Sequence, residues 1–255
     1  MKVLDLGLTD YLEGWRLQRE IFDRAAAAKA VDFDAEAERK GFGAAEQTLI
    51  LCEHPHVYTL GRNGRQSNLL ASEEFLESIG AKFYRIDRGG DVTYHGPGQL
   101  VAYPIVDLDA AGMGVRSYIH ALEQAVIDTL GALDIAAGRT DGAAGVWIPG
   151  CEDGCEDGCG DGFAGDGRLS SCPPRSKPLR KICAIGVRAS HGVTMHGLAL
   201  NVSTRLEYFS YINPCGFVDR GVTSIEAELG RTVEMGEVKR IFVKCFERAF
   251  GMGPR

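Results

Sequence analysis

The sequence predicts an α+β fold with a mixed β-sheet, on three observations. Short apolar runs with strand character outnumber helical stretches. Many are separated only by brief turns, which argues against a regular alternation of strand and helix. Two stretches, Val115 to Leu133 and about 235 to 250, place apolar residues at helical spacing. No repeat and no linker-like stretch divides the 255 residues, so residues 1–255 are expected to form a single domain.

Taken in order, residues 9 to about 29 read as a helix ending in an alanine-rich stretch, and 30 to 46 as a charged, exposed connection. Gln47 to Leu60 reads as a buried strand, a break at Pro55 and a second short strand. Gly61 to Leu70 is loop-like, Ser72 to Ile79 a short helix and Ala81 to Ile86 a strand. A strand from Gln99 to Leu108 leaves a glycine-rich loop. In the helix that follows, Val115, Tyr118, Ile119, Leu122, Val126, Leu130 and Leu133 share one face. Ala144 to Ile148, Ile182 to Arg188 and Val193 to Val202 read as strands. The last helix aligns Val238, Ile241, Phe242, Cys245, Phe246 and Ala249.

Composition excludes several classes. An apolar share of 45% supports a sizeable core, and 25% charged residues is ordinary for a soluble globular chain. The net charge of −7 argues against a nucleic-acid partner. No apolar run is long enough to span a bilayer. The opening MKVLDLGLTDYLEGW lacks the uninterrupted apolar stretch of a signal peptide, so a cytoplasmic protein with free thiols is expected. Cys52, Cys183 and Cys245 lie in apolar contexts and read as core residues.

The densest chemistry lies in RGGDVTYHGPGQLVAYP, Arg88 to Pro104. Its glycines permit close backbone approach to a ligand, while Arg88, Thr93, Tyr94, His95 and Gln99 supply polar groups to orient one. Downstream, Cys215 sits in INPCGF, a Pro-Cys-Gly turn that presents a thiol instead of packing it. A cysteine nucleophile needs a base or cation nearby. Lys181 opens the apolar run KICAIGVR, where desolvation would lower an ammonium pKa; His95 and His196 are the other candidates. The residues alone do not choose among the three.

These motifs, with EHPHVYTLGR upstream, KICAIGVR, HGLALNV and INPCGF, resemble in order and approximate spacing those of the octanoyl-[acyl-carrier-protein]:protein octanoyltransferases, the lipoyl(octanoyl) transferase B family, over roughly residues 47 to 226. The resemblance implies a fold like the catalytic domain of biotin and lipoate protein ligases. It implies Cys215 as the residue carrying the acyl group as a thioester and Lys181 as its activator. It implies an acyl pocket walled by Arg88, Gly89, Gly90, Asp91, Val92, Thr93, Tyr94 and His95, by Ala184, Ile185 and Gly186, and by Gly197, Leu198 and Ala199. The implied donor is acyl carrier protein. The implied acceptors are lipoyl domains of 2-oxoacid dehydrogenases or the glycine cleavage H protein. No cofactor is implied, because exchange between thioesters needs no nucleotide. The alternative within the same fold is an ATP-dependent lipoate or biotin protein ligase-like enzyme, in which Cys215 would have no purpose. Since such acyl partners are generally acidic, a local basic patch is expected, with Arg62, Arg65, Lys177 and Arg180 as its candidates.

One stretch departs from the family pattern. Residues 150–177, GCEDGCEDGCGDGFAGDGRLSSCPPRSK, hold four of the eight cysteines and almost no apolar residues. Cys151, Cys155 and Cys159 repeat every four residues, and Cys172 could be a fourth zinc ligand. Six acids between Glu152 and Asp166 and frequent glycines make an ordered cage costly. The stretch reads as an inserted Cys/Gly/acid-rich loop without a metal.

Overall fold

The computed structural model of the chain describes residues 1–32, 47–150, 178–213 and 221–252. It opens with β1 (Lys2–Leu8), a strand outside the sequence expectations. Its side chains are mostly exposed, so periodicity alone gives little signal; parallel pairing with β2 (Thr48–Glu53) makes it a strand. The crossover between them is α1 (Tyr11–Asp32). The break at Pro55 then leads into β3 (Val57–Leu60), as expected. Next come α2 (Glu73–Ser78), N-capped by Ser72 Oγ, and β4 (Lys82–Arg85).

The glycine-rich stretch hides a strand, β5 (Val92–His95). It belongs to a small sheet of order β4-β3-β5, parallel between β3 and β4 and antiparallel between β3 and β5. The turn Gly96 to Gly98 then carries the chain into the large sheet as β6 (Gln99–Ile105). Helix α3 (Val115–Gly131) follows, then β7 (Gly138–Thr140), β8 (Ala143–Ile148), β9 (Arg180–Ser190) and β10 (Val193–Asn201). A two-residue strand β11 (Gly221–Val222), the short α4 (Ile225–Leu229) and α5 (Met235–Ala249) complete it. The large sheet runs β1-β2-β6-β10-β9-β8-β7, with β11 beside β9. The fold is α+β with mixed sheets, as the sequence predicts.

Alternation decides which face each strand residue covers. Leu49, Leu51, Leu100, Ala102, Leu198 and Leu200 pack with Leu122, Val126, Leu130, Phe242 and Phe246 of α3 and α5. Ile50, Cys52, Val101, Tyr103 and Ala199 point the other way, with Phe22 of α1. Central strands are thus covered on both faces, which explains their continuous apolar runs. The predicted helix faces pack on the core, with Ile119, Ile241 and Ala249 only partly buried, and Val115, at the first position of α3, is exposed. Cys52, Cys183 and Cys245 are buried free thiols in this core.

Candidate active site

Register brings the sequence motifs together. In the β9–β10 pair, Ala184 lies opposite Ala199, Ile185 opposite Leu198 and Gly186 opposite Gly197. On its other edge β10 pairs with β6, setting Ala199 beside Val101. These residues, with Thr93 and His95 of β5, Arg88 of the loop before it, and Tyr11, Tyr103 and His196, line one cavity of roughly 390 Å³, part of it open to solvent. Most of the lining is apolar or backbone, with polar groups grouped around Arg88, His95 and His196.

Two glycines make the walls possible. A Cβ at Gly197 would lie 2.1 Å from the carbonyl oxygen of Ala102, so β10 and β6 could not approach as they do. At Gly186 a Cβ would meet the Gly89 carbonyl at 3.0 Å and Arg88 Cδ at 3.1 Å. Its absence lets the Arg88–Gly89 backbone lie across β9, where Gly89 N donates to Val187 O at 2.9 Å. Arg88 is then held by Thr59, its Nη2 donating to the carbonyl at 2.8 Å and to Oγ1 at 3.0 Å.

Not every residue of the loop faces the cavity. Alternation along β5 sends Thr93 and His95 inward and buries Val92 and Tyr94 in the small-sheet core with Tyr58 and Tyr208. Asp91 braces the neighbouring loop after β3, accepting from Arg65 N at 3.1 Å and from Asn68. Gly89 and Gly90 shape the crossing and do not line the cavity. Tyr11, Val101 and Tyr103 do line it and escape the sequence reading. Val101 and Tyr103 share a face of β6 and follow from alternation once its buried faces are known. Tyr11, from the start of α1, carries no such signal.

The histidines around the cavity are neutral. Burial pushes His95 down to about 3 and also lowers His54 and His196. His54 Nδ1 lies 2.7 Å from the Thr9 carbonyl, which can only accept; Nε2 therefore accepts from Tyr103 O–H at 2.7 Å. His196 Nε2 is 2.8 Å from Asp87 Oδ1. That bond, with Arg188 on the second oxygen, holds the Asp87 carboxyl at about 2 against the opposing effect of burial. His196 has φ +61 inside a strand, an uncommon backbone conformation for a residue other than glycine.

Lys181 stands at the start of β9, three residues before the cavity wall. It is half-buried; its Nζ is 4.5 Å from the centre of the Trp147 ring and 3.4 Å from the Ala144 carbonyl. Where β10 ends, β11 takes its place along β9, pairing Val222 with Lys181. Thr223 N then donates to Lys181 O at 3.0 Å. Cys215 lies outside the described residues. In sequence it stands two residues after Asn213, which donates through its N–H to Asn68 O, and six before Gly221 of β11. Two of the described thiols are poor nucleophiles: burial raises Cys52 to about 12 and pushes Cys183 higher still.

Of the expected basic patch, Arg62 and Arg65 are exposed. Arg180 is already engaged, its guanidinium donating to both Glu228 oxygens at 3.1 and 3.0 Å. Lys177 lies outside the described residues, as do the four cysteines of the insert. Among the described residues no three His, Cys, Asp or Glu side chains gather in a metal-holding group.

Comparison with known proteins agrees with this architecture. The family model for the lipoyl protein ligase A/B catalytic domain matches residues 10–247. A protein of Bacteroides fragilis named octanoyltransferase is 49% identical over 235 residues, covering 92% of this chain and 91% of its own. An octanoyltransferase of Cytophaga hutchinsonii is 46% identical over 248 residues, covering 97% and 91%. Among solved structures, the bipartite lipoate protein ligase of Thermoplasma acidophilum superposes with a TM-score of 0.61 at 15% identity, covering 100% of this chain and 85% of that one. A lipoate-protein ligase A bound with ATP gives 0.59 at 17%, covering 100% and 87%. At those identities the structures speak for the fold alone, whereas the sequence relatives reach closer: the chain belongs to the lipoyl protein ligase A/B catalytic domain family and, within it, stands with the octanoyltransferases.

Proposed function

We propose that this acyltransferase moves an octanoyl group from acyl carrier protein to a lysine of a lipoyl domain, by way of a thioester on Cys215. One observation carries the reading: the β9–β10 register puts Ala184 to Gly186 against Gly197 to Ala199 in a largely apolar cavity, on the strand that Lys181 opens. Such walls suit an unbranched acyl chain.

The proton balance follows from the residues. Lys181 takes the thiol proton of Cys215, and the thiolate attacks the carrier thioester. A new C–S bond forms, the old one breaks, and the departing thiolate receives the proton from Lys181. The acceptor arrives as an ammonium and gives one proton to neutral Lys181. Its amine then attacks the acyl-enzyme; a C–N bond forms and the bond to Cys215 breaks. The departing Cys215 thiolate takes back the proton held by Lys181, and the second proton passes from the nitrogen to solvent, so each turnover releases one proton and restores the cysteine–lysine pair. The two thioesters are nearly equal in energy, so no nucleotide enters. A cytoplasmic setting belongs to this reading and accords with the absence, among the described residues, of any helix long and apolar enough to cross a membrane.

Incubation with octanoyl carrier protein without ATP, followed by intact mass and peptide mapping, tests it. One octanoyl group on Cys215 is expected, and none in Cys215→Ala. Acylation that requires ATP, or acyl trapped on another cysteine of the native protein, overturns the assignment and returns the ATP-dependent ligase reading.

A further inference from the structure

A buried chain of amides links the cavity to the strand beside Lys181. His95 Nδ1 lies 2.8 Å from Gln99 Oε1. Gln99 Nε2 donates to Asn201 Oδ1 at 2.9 Å and to the Tyr94 carbonyl at 3.3 Å. Asn201 Nδ2 donates to the Thr223 carbonyl at 2.9 Å. All four side chains are buried, none more than 7% exposed. Their residues come from β5, β6, the last position of β10 and the residue after β11, so the chain ties together four separate segments.

The chain has a fixed direction. A backbone carbonyl can only accept, so Asn201 must turn its NH2 toward Thr223 and its oxygen toward Gln99. The Tyr94 carbonyl independently fixes the NH2 of Gln99 on that same side. The Gln99 oxygen therefore faces His95, and Nδ1 must carry the hydrogen. In a neutral ring Nε2 is then a bare acceptor. It makes no hydrogen bond to any described residue, and His95 lines the cavity.

We propose that Gln99 and Asn201 are positioning residues of the transfer step: they lock His95 as the Nδ1–H tautomer, so that Nε2 is a permanent hydrogen-bond acceptor for the incoming lysine amine. This rests on the acyl-transfer reading above. The amine must shed two protons around its attack, and an acceptor that cannot turn into a donor keeps an N–H aligned while its lone pair meets the acyl carbonyl. The same chain holds Thr223, whose N–H is bonded to Lys181 O, so the acceptor and the β9 strand that carries the base are set in one frame. His95 takes no proton itself. Tyr11, His54, Arg88 and His196 surround it, and burial, with the Arg88 charge beside it, disfavours a charge there. Around Asn201 the charged groups are Glu53, which accepts from Gly98 N, and Glu228, which accepts from Thr223 Oγ1 and pairs with Arg180.

The test separates the two half-reactions. Octanoyl carrier protein acylates the enzyme, an apo lipoyl domain is added in a single turnover, and both steps are timed across the neutral pH range. Asn201→Ala is expected to slow transfer roughly tenfold to a hundredfold more than acylation, at every pH. Asn201→Asp carries the sharper signature. Protonated, its carboxyl can donate to the Thr223 carbonyl and transfer stays near the native rate; ionised, it cannot, and transfer falls as pH rises while the native profile does not follow. Ring-nitrogen NMR of the native enzyme is expected to give His95 a protonated Nδ1 and a bare Nε2. Should Asn201→Ala fail to fold, the other two measurements decide. Native transfer rates in both variants, a pH-flat Asn201→Asp or a protonated Nε2 overturns the inference and leaves the acyl-transfer reading standing. A native enzyme that forms no acyl-enzyme overturns both.

Discussion

At the scale of single residues, position determines which groups are reactive. Cys52 and Cys183 are sealed in the core, and burial keeps their thiols protonated. Lys181 differs from a surface lysine in setting its Nζ over the face of Trp147. Arginine at this position keeps the contact with the indole face but is permanently charged and takes up no proton at neutral pH. Lys181→Arg is therefore expected to bind octanoyl carrier protein as the native chain does, while acylation of Cys215 slows at least about a hundredfold. Rapid-quench acylation with a separate binding measurement checks this. Native acylation by the arginine variant removes Lys181 as the base and brings back His196, whose ring sits at the cavity beside Asp87.

At the scale of elements, the insert hangs from a closed hairpin. Ile148 of β8 pairs with Arg180 of β9, so its two ends are already neighbours, with 31 residues between those partners. A connection of a few residues closes such a pair. Replacing residues 150–177 with a short linker is expected to leave transfer activity largely intact and to raise stability by about 1–2 kcal/mol, from the smaller loop-closure entropy alone. Denaturant unfolding and a transfer assay read both; loss of stoichiometric zinc together with loss of folding would make the insert a metal site. Elements with a strong apolar period, α3, α5 and the central strands, were legible in the sequence. Five were not, for different reasons. The side chains of β1 are mostly exposed and β5 is masked by the glycines around it, while β7, α4 and β11, of three, five and two residues, are too short for a period to show. The site was legible as motifs and not as geometry. KICAIG and HGLA could be quoted, but their residue-by-residue opposition belongs to the β9–β10 register. The lining by Tyr11 needs the packing of α1 on the far face.

At the scale of the whole molecule, the histidines govern how the protein meets acid. The buried His54, His95 and His196, and the half-buried His56, all bind protons less readily folded than the ordinary imidazole, chiefly because burial disfavours the charged ring. The sign follows directly. Below the ordinary histidine pKa of about 6.5 the unfolded chain takes up protons that the folded chain refuses, so stability is full above that value and falls as pH drops. For His95 the window runs from about 6.5 down to about 3, which over its full span corresponds to about 5 kcal/mol. Asp87, held at about 2, adds its loss only below the ordinary carboxylate range and in the same direction. Unfolding free energy measured in urea should therefore decline steadily from neutral pH toward pH ~4. His95→Gln keeps an amide able to face Gln99 but cannot titrate. Its free energy at neutral pH can differ from the native value through packing, so the slope is the readout. Within that window it should be shallower by one proton, about 1.4 kcal/mol per pH unit. An unchanged slope would mean that His95 accepts its proton in the folded protein, contrary to the burial that encloses it.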